Sequence, residues 1–147
     1  MTLNPQADTA IRDLAEYLKE GLNNDEAVKQ WTVVKGLSVV HSYAFKEMPL
    51  LAVYRTRSYG KLLDRSQLNI VYFIGAIADY SQVEGALNWV SKKIASLLID
   101  YEYQSECLKF IDLENMTCDF QLLLENTRGM VLPHIRISTE VEDRHLI

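Results

Sequence analysis

Groups able to act as a nucleophile, a base or a metal ligand are few in this 147-residue chain, and they stand apart. His41 precedes Ser42, and Cys118 precedes Asp119, the two adjacent pairs that a nucleophile and an activating partner would require. Neither pair has a third group at a recognisable spacing, and chance supplies such pairs in any sequence. His41, His134 and His145 fall at no metal-ligand spacing with another His or Cys, which argues against zinc. Cys107 and Cys118 form no CxxC and read as two free thiols in a reducing compartment. The glycines build neither a GxGxxG turn nor a Walker loop. Carboxylates are plentiful but occupy exposed-looking positions, so no buried acid pair is expected. These residues predict a protein that is not an enzyme and holds no metal and no cofactor.

Charge is distributed more tellingly. Arg55, Arg57, Lys61 and Arg65 share one segment with a single acid, Asp64, and Tyr54, Tyr59 and Tyr72 lie near it. Asp100, Glu102, Glu106, Asp112, Glu114 and Asp119 then face only Lys109. Two solvated surface segments would account for this. So would two complementary patches on different edges of one molecule, an arrangement suited to head-to-tail contacts that close into a ring. On the second reading Arg55, Arg57, Tyr59, Lys61 and Arg65 form one interface, and Glu102, Glu106 and Glu114 the acidic surface of a partner.

The elements that must carry these patches follow from periodicity. Residues 50–57 read as an apolar, β-branched strand entered after Pro49. Residues 67–77 place Leu68, Ile70, Tyr72, Ile74 and Ala76 on one face and Val71, Phe73, Gly75 and Ile77 on the other. Apolar residues on both faces predict a central strand. Ser81 with Glu84 forms a capping box, and Val83, Leu87, Val90, Ile94 and Leu97 then draw one helical stripe, with Lys92 and Lys93 toward the C-terminal end. Upstream, residues 1–22 predict a helix with Pro5 near its start, Asp8 or Thr9 as cap, a stripe of Ile11, Leu14, Leu18 and Leu22, and Gly21 as its stop. Residues 30–43 are β-prone and broken by Gly36, suggesting one or two short strands. Residues 108–113 alternate weakly, and 116–125 fit a strand or a short helix equally well. Residues 130–141 alternate cleanly, with Ile135, Ile137, Thr139 and Val141 opposite His134, Arg136, Ser138 and Glu140, a strand with one wet face and Pro133 at an edge or bulge. Residues 141–147 read as a mobile tail. The expectation is a single α+β domain over 1–147: a mainly antiparallel sheet of about four strands against an N-terminal helix and one long central helix.

Composition excludes several classes. A net charge of −5 argues against a dedicated nucleic-acid binder. The longest apolar run, 70–78, is about half of what a bilayer span needs, and no secretory leader is expected at the N-terminus.

The order of these elements resembles the lambda-type tail terminator proteins of long-tailed bacteriophages. The resemblance is carried by MPLLAVY at 48–54, by its spacing to LNIVYF at 68–73 and to the helix at 87–95 with Trp89, and by the strand near the C-terminus. It covers most of the chain, through chiefly hydrophobic positions. It implies a structural virion protein of the tail and neck, assembled in the host cytoplasm as a homo-hexameric ring. Such a ring caps the tail tube, halts its polymerisation and presents a surface to the head–tail connector. Its partners would be the tube protein, the connector and, in a contractile tail, the sheath. DNA would pass through it without sequence-specific contact, and no membrane is involved. A connector, neck or tail-tube relative is the nearest alternative. From another class, a small cytoplasmic ligand-binding or regulatory α+β module also fits.

Overall fold

The computed structural model describes residues 5–26, 36–38, 49–74, 80–104, 108–125 and 130–143. In chain order these form helix α1 (Pro5–Asn24), strands β1 (Gly36–Ser38), β2 (Leu50–Tyr59) and β3 (Arg65–Phe73), helix α2 (Tyr80–Gln104), strand β4 (Leu108–Phe110), a 3-10 turn (Leu113–Asn115), and strands β5 (Thr117–Glu125) and β6 (Met130–Asp143). The class is α+β. The sheet runs β1-β2-β3-β6-β4, with β5 also on β6, and every pairing is antiparallel except the three-residue β1 on β2. Among the described residues six strands stand where about four were expected. Two of them, β1 and β4, have only three residues each, too few for any side-chain period to register.

α1 shows how pattern becomes packing. Ile11, Leu14, Leu18 and Leu22 are buried, together with Ala10 and Ala15. Each large apolar side chain contributes roughly 1.5–3 kcal/mol on full burial. That sum outweighs intrinsic propensity, so docking rather than local preference holds this helix. Pro5 is its first residue, where the missing N–H costs nothing. Gly21 does not stop the helix, which runs on to Asn24. A Cβ at Gly21 would stand 2.6 Å from both Leu97 methyl carbons and 3.2 Å from Leu97 Cγ. The glycine therefore marks a close approach of α1 to α2. Gly21→Ala gains about 1 kcal/mol of helix propensity but overpacks a buried contact at about 1–3 kcal/mol. We expect a net loss near 1 kcal/mol in urea titrations, recovered when Leu97 is shortened to Val.

α2 buries Ala86, Leu87, Val90, Ser91, Ile94, Leu97, Leu98 and Tyr101, which is the predicted stripe widened by its flanking positions. It is described from Tyr80, so Ser81 lies inside its first turn, and the Ser81 and Val83 side chains are outside the described residues. Lys93 does not serve the helix end. It pairs with Asp25 at 3.1 Å, tying α2 to the end of α1.

The two helices and one sheet face enclose the main core. Leu51, Val53, Leu68, Ile70, Tyr72, Ile135, Ile137, Val141, Leu108 and Phe110 meet the helical leucines there. On the opposite face Leu50, Val71 and Phe73 form a second, smaller cluster with Tyr54 against it. β3, with β2 on one side and β6 on the other, is thus the doubly covered central strand that its sequence predicts; it begins at Arg65 and runs to Phe73, while Gly75, Ala76 and Ile77 of the predicted 67–77 segment lie outside the described residues.

β6 is the longest strand, and one edge of it pairs with β3 from His134 to Glu142. Its other edge pairs with β4 and then with β5, and this second ladder is broken. Phe110 stands opposite Val141 and Thr117 opposite Ser138, so the six residues 111–116 face only Thr139 and Glu140. The surplus is folded into the 3-10 turn, entered by an Ile111 N–H bond to the Glu140 carbonyl at 2.9 Å. Residues 117–125 are a strand, which settles the ambiguity of that segment. β6 also continues to Asp143, so 141–143, read as the beginning of a mobile tail, are paired with Arg65, Leu108 and their neighbours. The remaining tail, 144–147, lies outside the described residues.

Candidate functional site: a basic hairpin end and a broken acidic edge

β2 and β3 form a hairpin whose end, residues 60–64, carries the basic segment. The pairing slips once. Arg55 stands opposite Leu68 and Arg57 opposite Gln67, leaving Thr56 as the extra residue of a bulge. The Thr56 hydroxyl donates to the Gln67 carbonyl at 3.4 Å. Because side chains alternate, this single extra residue puts Arg55 on the helix-covered face and Arg57 on the other. The predicted basic cluster is therefore divided. Arg57, Tyr59 and Arg65 share one face, Lys61 lies in the exposed turn, and half-buried Arg55 is separated from them. The Arg57 guanidinium carbon sits 5.5 Å from the centre of the Tyr59 ring, close enough for a cation–π contact.

Nor is the patch purely basic. Glu142 stands directly across from Arg65, and Glu140 reaches Tyr59. The Tyr59 phenol is pushed above the ordinary tyrosine value, first by loss of water, then by the charge and hydrogen bond of Glu140, while Arg65 and Arg57 oppose the shift. These acids come from a strand about 75 residues away in sequence, so local charge counting could not find them.

The acidic surface is likewise dispersed. Glu114 is exposed on the 3-10 turn. Glu102 belongs to the end of α2 with its side chain outside the described residues, and Glu106 lies wholly outside them. What surrounds Glu114 is instead the broken β4–β5 edge. Asp112, hydrogen-bonded to Asn115, and Asp119 join it. A half-open cleft of about 270 Å³ occupies the break, lined by Gln67, Asp112, Asn115, Thr117, Ser138, Thr139 and Glu140. Thr139 is buried, and its hydroxyl has no hydrogen-bond partner among the described residues.

Two exposed leucines were missed by a reading that followed charge. Leu62 and Leu63, at the hairpin end, are 84% and 65% exposed. The signal was present in GKLLDR, where two leucines occupy a turn between a glycine and an aspartate.

Of the groups considered for catalysis, His41, Ser42, Cys107 and His145 lie outside the described residues. His134 is buried and stacked on Phe73 with ring centres 4.6 Å apart. Cys118 is a free thiol, half-buried. Burial and the neighbouring Asp119 raise its pKa, and a hydrogen bond with Ser91 acts the other way. Tyr17 is raised too, by burial and then by Asp100, against Lys93. For Cys118, Tyr17 and Tyr59 the folded state holds the proton more tightly than the unfolded chain, so each contributes its full stabilisation below the unfolded pKa. That contribution is lost as pH rises through the folded value. The unfolded values are 9.0 for the thiol and 10.0 for the phenols. The urea midpoint should therefore hold level, as far as these groups go, up to about pH 9 and fall above it. Cys118→Ser should remove the earliest part of the fall, and Tyr17→Phe part of the later.

Among the described residues no three His, Cys, Asp or Glu side chains converge as a metal site, and no helix is long and apolar enough to cross a membrane. Searches find no family model that matches the chain and no curated protein that is similar to it.

Proposed function

We propose that this protein is a structural component of a phage tail: a terminator whose subunits join head to tail in a six-membered ring, cap the tail tube and offer the opposite surface to the head–tail connector. The phage setting rests on the resemblance of the 48–54, 68–73 and 87–95 segments. The observation that carries the ring is the placement of two unlike surfaces on one sheet. A hairpin end carrying Arg57, Lys61 and Arg65 projects from the β2–β3 side, and a broken edge carrying Asp112 and Glu114 lies across β6 from it, with Glu140 between the two. Unlike surfaces at different positions favour a heterologous contact, which propagates from subunit to subunit and closes where the rotation allows.

A small ligand-binding module is the second reading, and the polar cleft at the strand break is the observation in its favour. Negative-stain microscopy of the protein, alone and with its cognate tail tubes, separates the two. Six-fold rings, or tubes capped at one end at fixed length, support the terminator. A monomer that ignores tubes overturns it.

A further inference from the structure

We infer that the hairpin end is an apolar plug with a basic collar, and that its receptor is the acidic, broken β4–β5 edge of a second copy of this chain. The inference rests on the head-to-tail reading above and names the surfaces that meet.

The plug is Leu62 and Leu63. Leu63 has φ 54°, a left-handed conformation that glycine, asparagine or aspartate adopts more readily. Its N–H closes the turn on the Gly60 carbonyl at 3.1 Å, and Gly60 supplies a second positive φ of 93°. Folding alone would be served better by a polar turn residue there. The turn instead holds a strained leucine beside another, both turned to water. Lys61 adjoins them, and Arg57 and Arg65 lie just below on one strand face, so three cations stand beside the apolar end, on a face that Glu140 and Glu142 share.

The receptor matches it in both respects. Ile111, 37% exposed, opens the six-residue excursion, and Phe120, 52% exposed, stands four residues beyond its end. Between them in sequence lie Asp112, Glu114 and Asp119, of which Asp119 stands directly across from Arg136 and the first two carry the negative charge of the excursion. The interrupted ladder also leaves the cleft beside Asp112 and Glu140, wide enough to admit a side chain. The leucines of one copy would cover Ile111 and Phe120 of the next while the collar faces the acids. Charge complementarity selects a second copy over a lipid surface, since an anionic membrane would satisfy the plug but leave the acidic edge unexplained.

The test uses the full chain in two complementary variants. Leu62→Ser with Leu63→Gly damages only the plug; Ile111→Ser with Glu114→Lys damages only the receptor. Each alone should lower the association constant at least 30-fold in sedimentation equilibrium and abolish rings in the presence of tubes. The plug variant's melting temperature should hold or rise, because glycine relieves the positive φ. Mixed, the two variants retain one intact plug and one intact receptor between them and should form 1:1 dimers and nothing larger. Plug variants that assemble like the wild type, or a mixture that stays monomeric, overturn this inference while wild-type rings leave the terminator reading standing. A wild-type protein that forms no rings even with tubes overturns both.

Discussion

Ile70→Ala should remove about 4 kcal/mol from the folding free energy. Ile70 is fully buried on the helix-covered face of β3, directly between Val53 on β2 and Ile137 on β6, both also buried. Truncation there loses the transfer energy of three carbons and leaves a cavity that two flanking strands and the helices above hold open, a combination that costs 2–5 kcal/mol. Against a total stability of about 5–15 kcal/mol for a domain of this kind, that is a large fraction, and the urea midpoint should fall steeply with an unchanged m-value. The neighbouring Val71→Ala is the informative companion. Val71 points to the other face, where it is buried with Leu50 and Phe73. If that face were merely wet, the change would cost a few tenths of a kcal/mol. Burial predicts about 1–2 kcal/mol instead. A cost for Val71→Ala below about 0.5 kcal/mol would refute the second cluster, and one below about 2 for Ile70→Ala would refute the central position of β3.

That pair of residues also shows what the sequence can convey. β3 was legible because a run with apolar residues at both odd and even positions has few folded solutions other than a strand covered on both sides. The α2 stripe and the alternation of β6 were legible for the same reason: each expresses contact with one large core. The rest depends on pairing partners far away in the chain. Gly21 looks like a helix stop until Leu97 is seen pressing on it. The Thr56 bulge is invisible locally, yet it parts Arg55 from Arg57 by reversing every side chain beyond it. The strand break at 111–116 exists only relative to the register of β6, so residues 108–125 gave a weak alternation and an ambiguous segment in place of one interrupted edge. Charge misled in a related way. Four cations counted against one acid along the chain become, in the sheet, a patch already facing Glu140 and Glu142.

Those two glutamates sharpen what reversing the patch should do. Arg57→Glu with Arg65→Glu changes the collar by four charge units while leaving the plug leucines untouched. In the monomer, the new carboxylate at 65 stands directly across from Glu142, and the one at 57 replaces the cation over Tyr59 near Glu140. Both arginines are exposed, so each like-charge juxtaposition is screened and worth well under 1 kcal/mol. The monomer should therefore lose at most about 1–2 kcal/mol and remain folded by circular dichroism. Assembly is affected far more, because every contact around a ring repeats the change: each hairpin end goes from three cations to one cation and two new anions, set against the acids of the next copy. Like-charge contacts across an interface cost several kcal/mol, so the association constant should fall by more than 100-fold. Salt distinguishes this from a folding defect. Wild-type association should weaken from 50 to 500 mM NaCl as attraction is screened, whereas the residual association of the reversed variant should strengthen over the same range as repulsion is screened. A variant that assembles normally removes the basic collar from the interface. A variant whose association is weak but shows the wild-type salt trend points to misfolding rather than to charge.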